Sequence, residues 1–200
     1  MIDYFALLKQ QRRPWLEPDA LKDTFLTLSS ELHPDRIHSA SAMEKERAQE
    51  VYIDLNAAYQ CLREPKARLR HLLELERGKL EQVQSIPSAM MNLSLEVAQA
   101  CREADLFLSK KAKATSPLLQ VELFERGQEH VQTLTGVVKQ LESRRELLMT
   151  ELMQVDSIWV QRTAGRETGQ LDRIEEIYRL LSYYERWSGH LRERIVQLSL

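Results

Sequence analysis

The chain has 200 residues, of which 29% are Asp, Glu, Lys or Arg, with six Gly, six Pro and a formal net charge of −2. That length allows one or two domains with a real core, and the composition favours helix throughout. No basic surplus points to nucleic acid or an acidic membrane surface, and no apolar run approaches a membrane span. Divided after Glu76, the first part carries 11 basic and 13 acidic residues and the second 17 of each, so neither is a charged tail. Cys61 and Cys101 lie in apolar helical patterns, which fits buried thiols in a reducing compartment and offers no metal-ligand spacing. The start, Met1-Ile2-Asp3, runs at once into a helical pattern without a secretory or transit segment, so the expected location is the cytoplasm.

Residues 3–11 read as a short helix capped by Asp3, with Phe5, Leu7 and Leu8 on its apolar side. Arg12-Arg13-Pro14 ends it, and Pro18 suits the first turn of the next helix. There Leu21, Phe25, Leu28 and Leu32 recur at spacings of four, three and four, one buried stripe. His33-Pro34-Asp35-Arg36 follows. Proline drives His33 out of the α region and removes a backbone donor, so the helix stops near Leu32. Asp35 suits the turn, because its carboxylate can accept from backbone N–H groups just ahead. A polar loop tip held by helices is where contacts with other molecules concentrate.

Residues 42–63 read as the next helix, polar from Met43 to Glu50 and then apolar on one face through Val51, Leu55, Ala58, Tyr59 and Leu62. Paired as a hairpin, the two stripes cover each other, with Phe25 and Tyr59 as mutual neighbours. Glu64-Pro65 breaks the helix, and residues 66–76 resume it with Leu69, Leu72, Leu73 and Leu75. Gly78 to Pro87 is the expected boundary. Three long amphipathic patterns follow, over about 88–110, from after Ser116-Pro117 to about 160, and over about 170–198, and predict an antiparallel bundle.

The first 76 residues resemble a J domain, the module by which J-proteins of the DnaJ class stimulate Hsp70 chaperones. The resemblance is carried by Asp3-Tyr4-Phe5-x-Leu7-Leu8, the Leu21/Phe25/Leu28 stripe, His33-Pro34-Asp35, and Leu55-Asn56-x-Ala58-Tyr59-x-x-Leu62. Further along, Pro65-x-x-Arg68-x-x-x-Leu72-Leu73-x-Leu75, Met90-Met91 and Leu95-Glu96 are similar to the iron–sulfur-assembly J-proteins of the HscB type. This resemblance implies an all-α fold: a J domain over 1–76, a linker over 77–87, and a three-helix bundle over 88–200 that binds the cluster scaffold protein. It implies Hsp70 contacts at Lys22, His33, Pro34, Asp35 and Arg36. Scaffold contacts would fall at Met90, Met91, Leu95, Glu96 and Tyr183. No catalytic residue, metal or cofactor of its own is implied, and neither nucleic acid nor membrane is a partner.

The helix before His-Pro-Asp departs from that family. Thr24 and Ser30 stand where Arg or Lys is usual, and Lys22 faces Asp19, Asp23 and Glu31, so electrostatic steering by this helix is weak. At the scaffold positions the residues themselves leave two readings. Met91 and Leu95 either face the bundle core or join Met90 and Tyr183 in an exposed apolar patch, with Tyr183 outward and Tyr184 inward. Two other functions stand beside the co-chaperone: a J-like interaction module without Hsp70 activation, or a J-protein with a different client. A metal site from His33, Asp35 and His38 lacks any HExxH or paired-cysteine motif, and no Gly-rich phosphate loop is present.

Overall fold

The computed structural model describes residues 1–31, 42–78, 86–161 and 168–200. Among them every regular element is helical: α1 Tyr4–Leu7, α2 Pro18–Glu31, α3 Ala42–Arg63, α4 Pro65–Arg77, a 3₁₀ turn Ser88–Met90, α5 Met91–Lys111, α6 Pro117–Val160 and α7 Thr168–Ser199. Contacts group the chain into two compact units, Met1–Glu81 with Thr150–Tyr178, and Gln82–Met149 with Arg179–Leu200.

In the first unit, Asp3 caps α1 by accepting from the Phe5 and Ala6 amides. The helix is shorter than residues 3–11 suggest. Lys9 takes a left-handed conformation, φ 52°. The Lys9 amide then donates to Ala6 O at 3.1 Å and Gln10 to Phe5 O at 2.8 Å, the paired closure that ends a helix. Leu21 and Leu28 of α2 are buried, as are Leu55, Ala58 and Leu62 of α3. Phe25 and Tyr59 stack at 4.2 Å between ring centroids, 9° from parallel. Both rings are half-buried rather than enclosed. Val51 is 39% exposed, because packing along its face of α3 begins one turn later, at Leu55. Pro65 opens α4, where its missing N–H costs nothing, and Gly78 closes it at φ 86°. Leu69, Leu72 and Leu73 are fully buried.

The ends of the two longest helices belong to this unit as well. Asp156 of α6 is buried, and its carboxylate accepts from Arg13 (Nε, 3.0 Å, and Nη2) and from the Trp15 amide at 3.1 Å. The Trp159 indole N–H donates to Arg12 O at 2.8 Å. Arg77, closing α4, reaches Asp172 at 2.5 Å and Glu175 at 2.8 Å on α7.

The second unit packs α5 against residues 117–149 of α6 and the latter part of α7. Leu93, Val97, Ala100, Ala104 and Phe107 form the inward row of α5. A methyl group on Gly127 would lie 3.5 Å from the Phe107 ring and 3.8 Å from Leu198 O, ordinary contact distances, so Gly127 sits against both α5 and α7. Arg192 meets Glu142 at 2.6 Å, and with Gly127 near Leu198 this sets α6 and α7 antiparallel within the unit. Arg194 grips Asp105 with two bonds of 2.8 Å, and Lys111 Nζ donates to Leu198 O at 3.2 Å.

Candidate functional site

The first candidate surface is the outward side of α2. Leu21 and Leu28 hold the opposite side in place, and the hydroxyls of Thr24 and Thr27 bond back to Ala20 O and Asp23 O, each at 2.9 Å. Lys22 is exposed, with Asp19, Asp23, Leu26, Ser30 and Glu31 also open to solvent. This surface has one cation against three carboxylates. His33, Pro34, Asp35 and Arg36 lie outside the described residues, His33 two positions after the last residue of α2.

The second candidate surface is the start of α5, and here the expectation of a four-residue exposed patch needs correcting. Met91 is 47% and Leu95 58% exposed, and Glu96 is open beside them. Met90, however, is 4% exposed and Tyr183 5%. Met90 closes the 3₁₀ turn, whose tighter winding turns it inward just before α5 begins. Tyr183 and Tyr184 are both buried, although neighbours on a helix point about 100° apart. One turn further along α7, Trp187 is buried too and meets the Tyr183 ring at 5.5 Å and the Tyr184 ring at 6.4 Å, so the buried arc of this helix is wider than one stripe. Arg186 adds its guanidinium 5.0 Å from the Tyr183 ring centroid. The exposed set is therefore Met91, Leu95 and Glu96, without Met90 or Tyr183.

Sequence reasoning missed the polar groups that tie the first unit together. The Arg68 guanidinium is buried, donating to Pro14 O at 2.9 Å and Leu62 O at 2.8 Å, and lies 5.7 Å from the Trp15 ring centroid. Burial pushes its pKa down to about 10, with Asp156 acting the other way. Asp156 left a readable signal. It stands four residues after Leu152 and three before Trp159, a carboxylate within an inward row. His71 is also buried, and its Nε2 accepts from the Tyr4 amide at 3.1 Å.

A concavity of about 360 Å³ beside His71 is lined by Met1, Tyr4, Cys61, Arg70 and Glu74 among others. Burial, reinforced by Glu74, pushes the Cys61 thiol up to about 11, and its Sγ–H donates to Ala67 O at 3.6 Å. Such a thiol is a poor nucleophile near neutral pH. Among the described residues, no helix is long and apolar enough to cross a membrane.

A helical hairpin of α2 and α3 with an appended helical region is the architecture these features define. No protein-family model matches the chain. Its sequence is similar to the co-chaperone protein HscB homolog of Azoarcus sp. strain BH72, 36% identical over 73 residues, which is 36% of this chain and 41% of that protein. The Arabidopsis thaliana iron-sulfur cluster co-chaperone protein HscB homolog is 24% identical over 106 residues, 52% of this chain and 42% of that protein. These matches thus span about two fifths of each relative's length. In fold the similarity extends further. Chaperone HscB from Vibrio cholerae superposes with a TM-score of 0.65 at 18% identity, covering 100% of both chains. Human co-chaperone protein HscB gives 0.59 at 20% identity, covering 98% of this chain and 81% of that one. Among the described residues the fold is all-α and HscB-like, and the sequence similarity to HscB homologues covers part of the chain.

Proposed function

We propose that this protein is a co-chaperone that stimulates the ATPase of an Hsp70 and delivers to it an iron–sulfur cluster scaffold protein. The observation that carries the reading is the fold similarity to HscB over the full length of both chains, combined with local sequence similarity to HscB homologues. The chain's own residues are consistent with it. The hairpin fixes α2 through Leu21, Leu28 and the Phe25–Tyr59 stack, and His33-Pro34-Asp35 begins two positions after the last residue of α2. In the proposed mechanism Asp35 accepts charge-assisted bonds from an arginine of the Hsp70. His33 and Pro34 fix the loop, and Lys22 and Arg36 supply the cationic contacts. The N-terminal 76 residues act as the J module, and the region after the 77–87 linker brings the client, with Met91, Leu95 and Glu96 as contacts. The protein makes and breaks no bonds itself.

The test is single-turnover ATP hydrolysis by the Hsp70 proteins of the same organism. The wild-type chain accelerates one of them, and His33→Gln and Asp35→Asn each remove the acceleration while the helical circular-dichroism signal is retained. Unchanged acceleration in both variants would overturn the mechanism.

A second reading, a J-protein with a different client, is favoured by one observation: Met90 and Tyr183, two of the five expected scaffold contacts, are buried. Under that reading the Hsp70 assay succeeds and the scaffold protein does not co-purify with the chain.

A further inference from the structure

The imidazole of His71 has one nitrogen that the fold does not use. Its Nε2 accepts from the Tyr4 amide at 3.1 Å, so the neutral ring carries its proton on Nδ1. His71 is 5% exposed, yet among the described residues nothing accepts from that Nδ1–H. The nitrogen is not sealed into the core either, and His71 borders the concavity of about 360 Å³. The donor therefore opens on that space. One wall comes from α4, where Ala67, Arg70, His71 and Glu74 stand at spacings of three and four on one side of the helix. Ile2, Tyr4 and Cys61 complete the lining with mostly apolar surface.

Charge around the concavity is already balanced. Arg70 Nε donates to Glu74 Oε1 at 2.9 Å, and Arg12 and Asp3, the other charges acting on His71, are paired at 2.7 Å. An anionic ligand would meet no free cation, and a cationic one would meet the His71 donor. Glu74 Oε2 accepts from no other described residue. His71 and Glu74 are three apart on α4, so the free donor and the free acceptor are neighbours.

We propose that this concavity binds a small neutral molecule with a carboxamide edge, whose carbonyl oxygen accepts from His71 Nδ1–H and whose N–H donates to Glu74 Oε2. The apolar body of the molecule lies against Ile2, Ala67 and the Tyr4 side chain. The volume falls at the lower end of the range for small-molecule sites, roughly 300–1,000 Å³, and a mostly apolar lining with a few placed polar groups is their usual composition. A donor in so poorly solvated a setting bonds more strongly than one in water. The site is independent of the co-chaperone reading.

Benzamide titrated into the ¹⁵N-labelled full-length chain tests this. Benzoate has the acceptor with a charge, and toluene has neither donor nor acceptor. Benzamide gives saturable shifts at the His71 ring nitrogens and at the Tyr4 and Glu74 amides, with a Kd of about 1 mM or below. Benzoate and toluene bind about fivefold more weakly or worse, the worth of one hydrogen bond. Saturating benzamide slows alkylation of Cys61 by iodoacetamide, read by mass spectrometry, and leaves that of Cys101 on α5 unchanged. Glu74→Ala weakens benzamide about tenfold, as expected for a lost bond to a charged group. Its melting temperature stays close to wild type, because the Arg70 side of the ion pair is exposed. Toluene or benzoate binding as tightly as benzamide overturns the carboxamide assignment. No saturable shift, or equal slowing at both cysteines, overturns the site.

Discussion

The Tyr4 amide donates to Nε2 of His71, 67 residues away, at 3.1 Å. The same imidazole stacks on the Tyr4 ring at 4.6 Å and lies 5.9 Å from the Phe5 ring. One side chain of α4 therefore holds the start of α1. Only the neutral ring with an unprotonated Nε2 can accept this bond.

Acid should loosen that tie. Burial holds the His71 pKa below its ordinary value of 6.5, with Arg12 acting in the same direction and Asp3 and Glu74 opposing it. A group whose folded pKa is lowered binds fewer protons folded than unfolded near that value, so the stability it supports rises with pH. The contribution is complete above about pH 6.5, declines as pH falls below it, and is gone once pH is below the folded value. Urea midpoints measured from pH 7.5 down to pH 5 are expected to fall, and His71→Phe should flatten that part of the profile. His71→Phe keeps the stacking but leaves the Tyr4 amide unpaired, a loss of about 1 kcal/mol at pH 7.5. A midpoint profile in His71→Phe as steep as in wild type would refute the assignment.

Asp156 performs a comparable task between α6 and the residues after α1. Asp156→Ala removes the acceptor for both Arg13 and the Trp15 amide. Arg13 is about a third exposed and can regain water, so the ion pair counts for less than a fully buried one. The expected loss is about 2 kcal/mol, most of it from the orphaned amide. Asp156→Asn, which retains one acceptor oxygen, should lose less. Equal urea midpoints for Asp156→Ala and wild type would mean that the contact carries no stability.

The Phe25–Tyr59 stack gives a third test. Phe25→Ala should cost about 2 kcal/mol, below the 3–5 kcal/mol typical of an enclosed aromatic, because both rings are half-buried. Phe25→Leu should recover the part that is area and not the part that is stacking, about 1 kcal/mol. Thermal melts of the two variants should rank in that order.

These cases show what periodicity can and cannot reveal. Leu21, Leu28, Leu55, Ala58 and Leu62 were legible because apolar residues at helical spacing state a face, and the Phe25–Tyr59 pairing followed from two such faces meeting. The start of α2 was legible because Pro18 suits a first helical turn, and the break between α3 and α4 because Glu64-Pro65 interrupts the helical pattern. The end of α1 was not, because the left-handed turn falls on Lys9 where glycine would have announced it. Nor were the partners of Asp156, Arg68 and His71. A buried polar side chain is satisfied by backbone groups or side chains distant in sequence, and spacing along one helix carries no information about them. For the client surface, the apolar character of α5 was visible, but which residues faced out was not. Tyr183 is buried together with Tyr184 and Trp187, an inward arc wider than a single periodic stripe announces.

Met90 and Met91 are adjacent in sequence and opposite in setting, 4% and 47% exposed, and this contrast separates folding from binding at the proposed client site. Met90→Ser removes a buried thioether side chain and places a hydroxyl in its position. The expected cost is about 2–4 kcal/mol, from lost transfer energy, a cavity and an ill-paired polar group. Met91→Ser exposes nothing new and should change stability by less than about 0.5 kcal/mol. Under the client reading, Met91→Ser weakens scaffold binding at full stability. Tyr183→Ser behaves like Met90→Ser: it dismantles the contact with Trp187, so any binding defect it shows arises through the fold. Melting temperature and scaffold affinity measured on all three variants decide the matter. Lowered melting temperatures for Met90→Ser and Tyr183→Ser, with a binding defect confined to Met91→Ser once folded fractions are matched, are the expected outcome. A stable Tyr183→Ser protein that binds scaffold poorly would instead put Tyr183 in direct contact with the client.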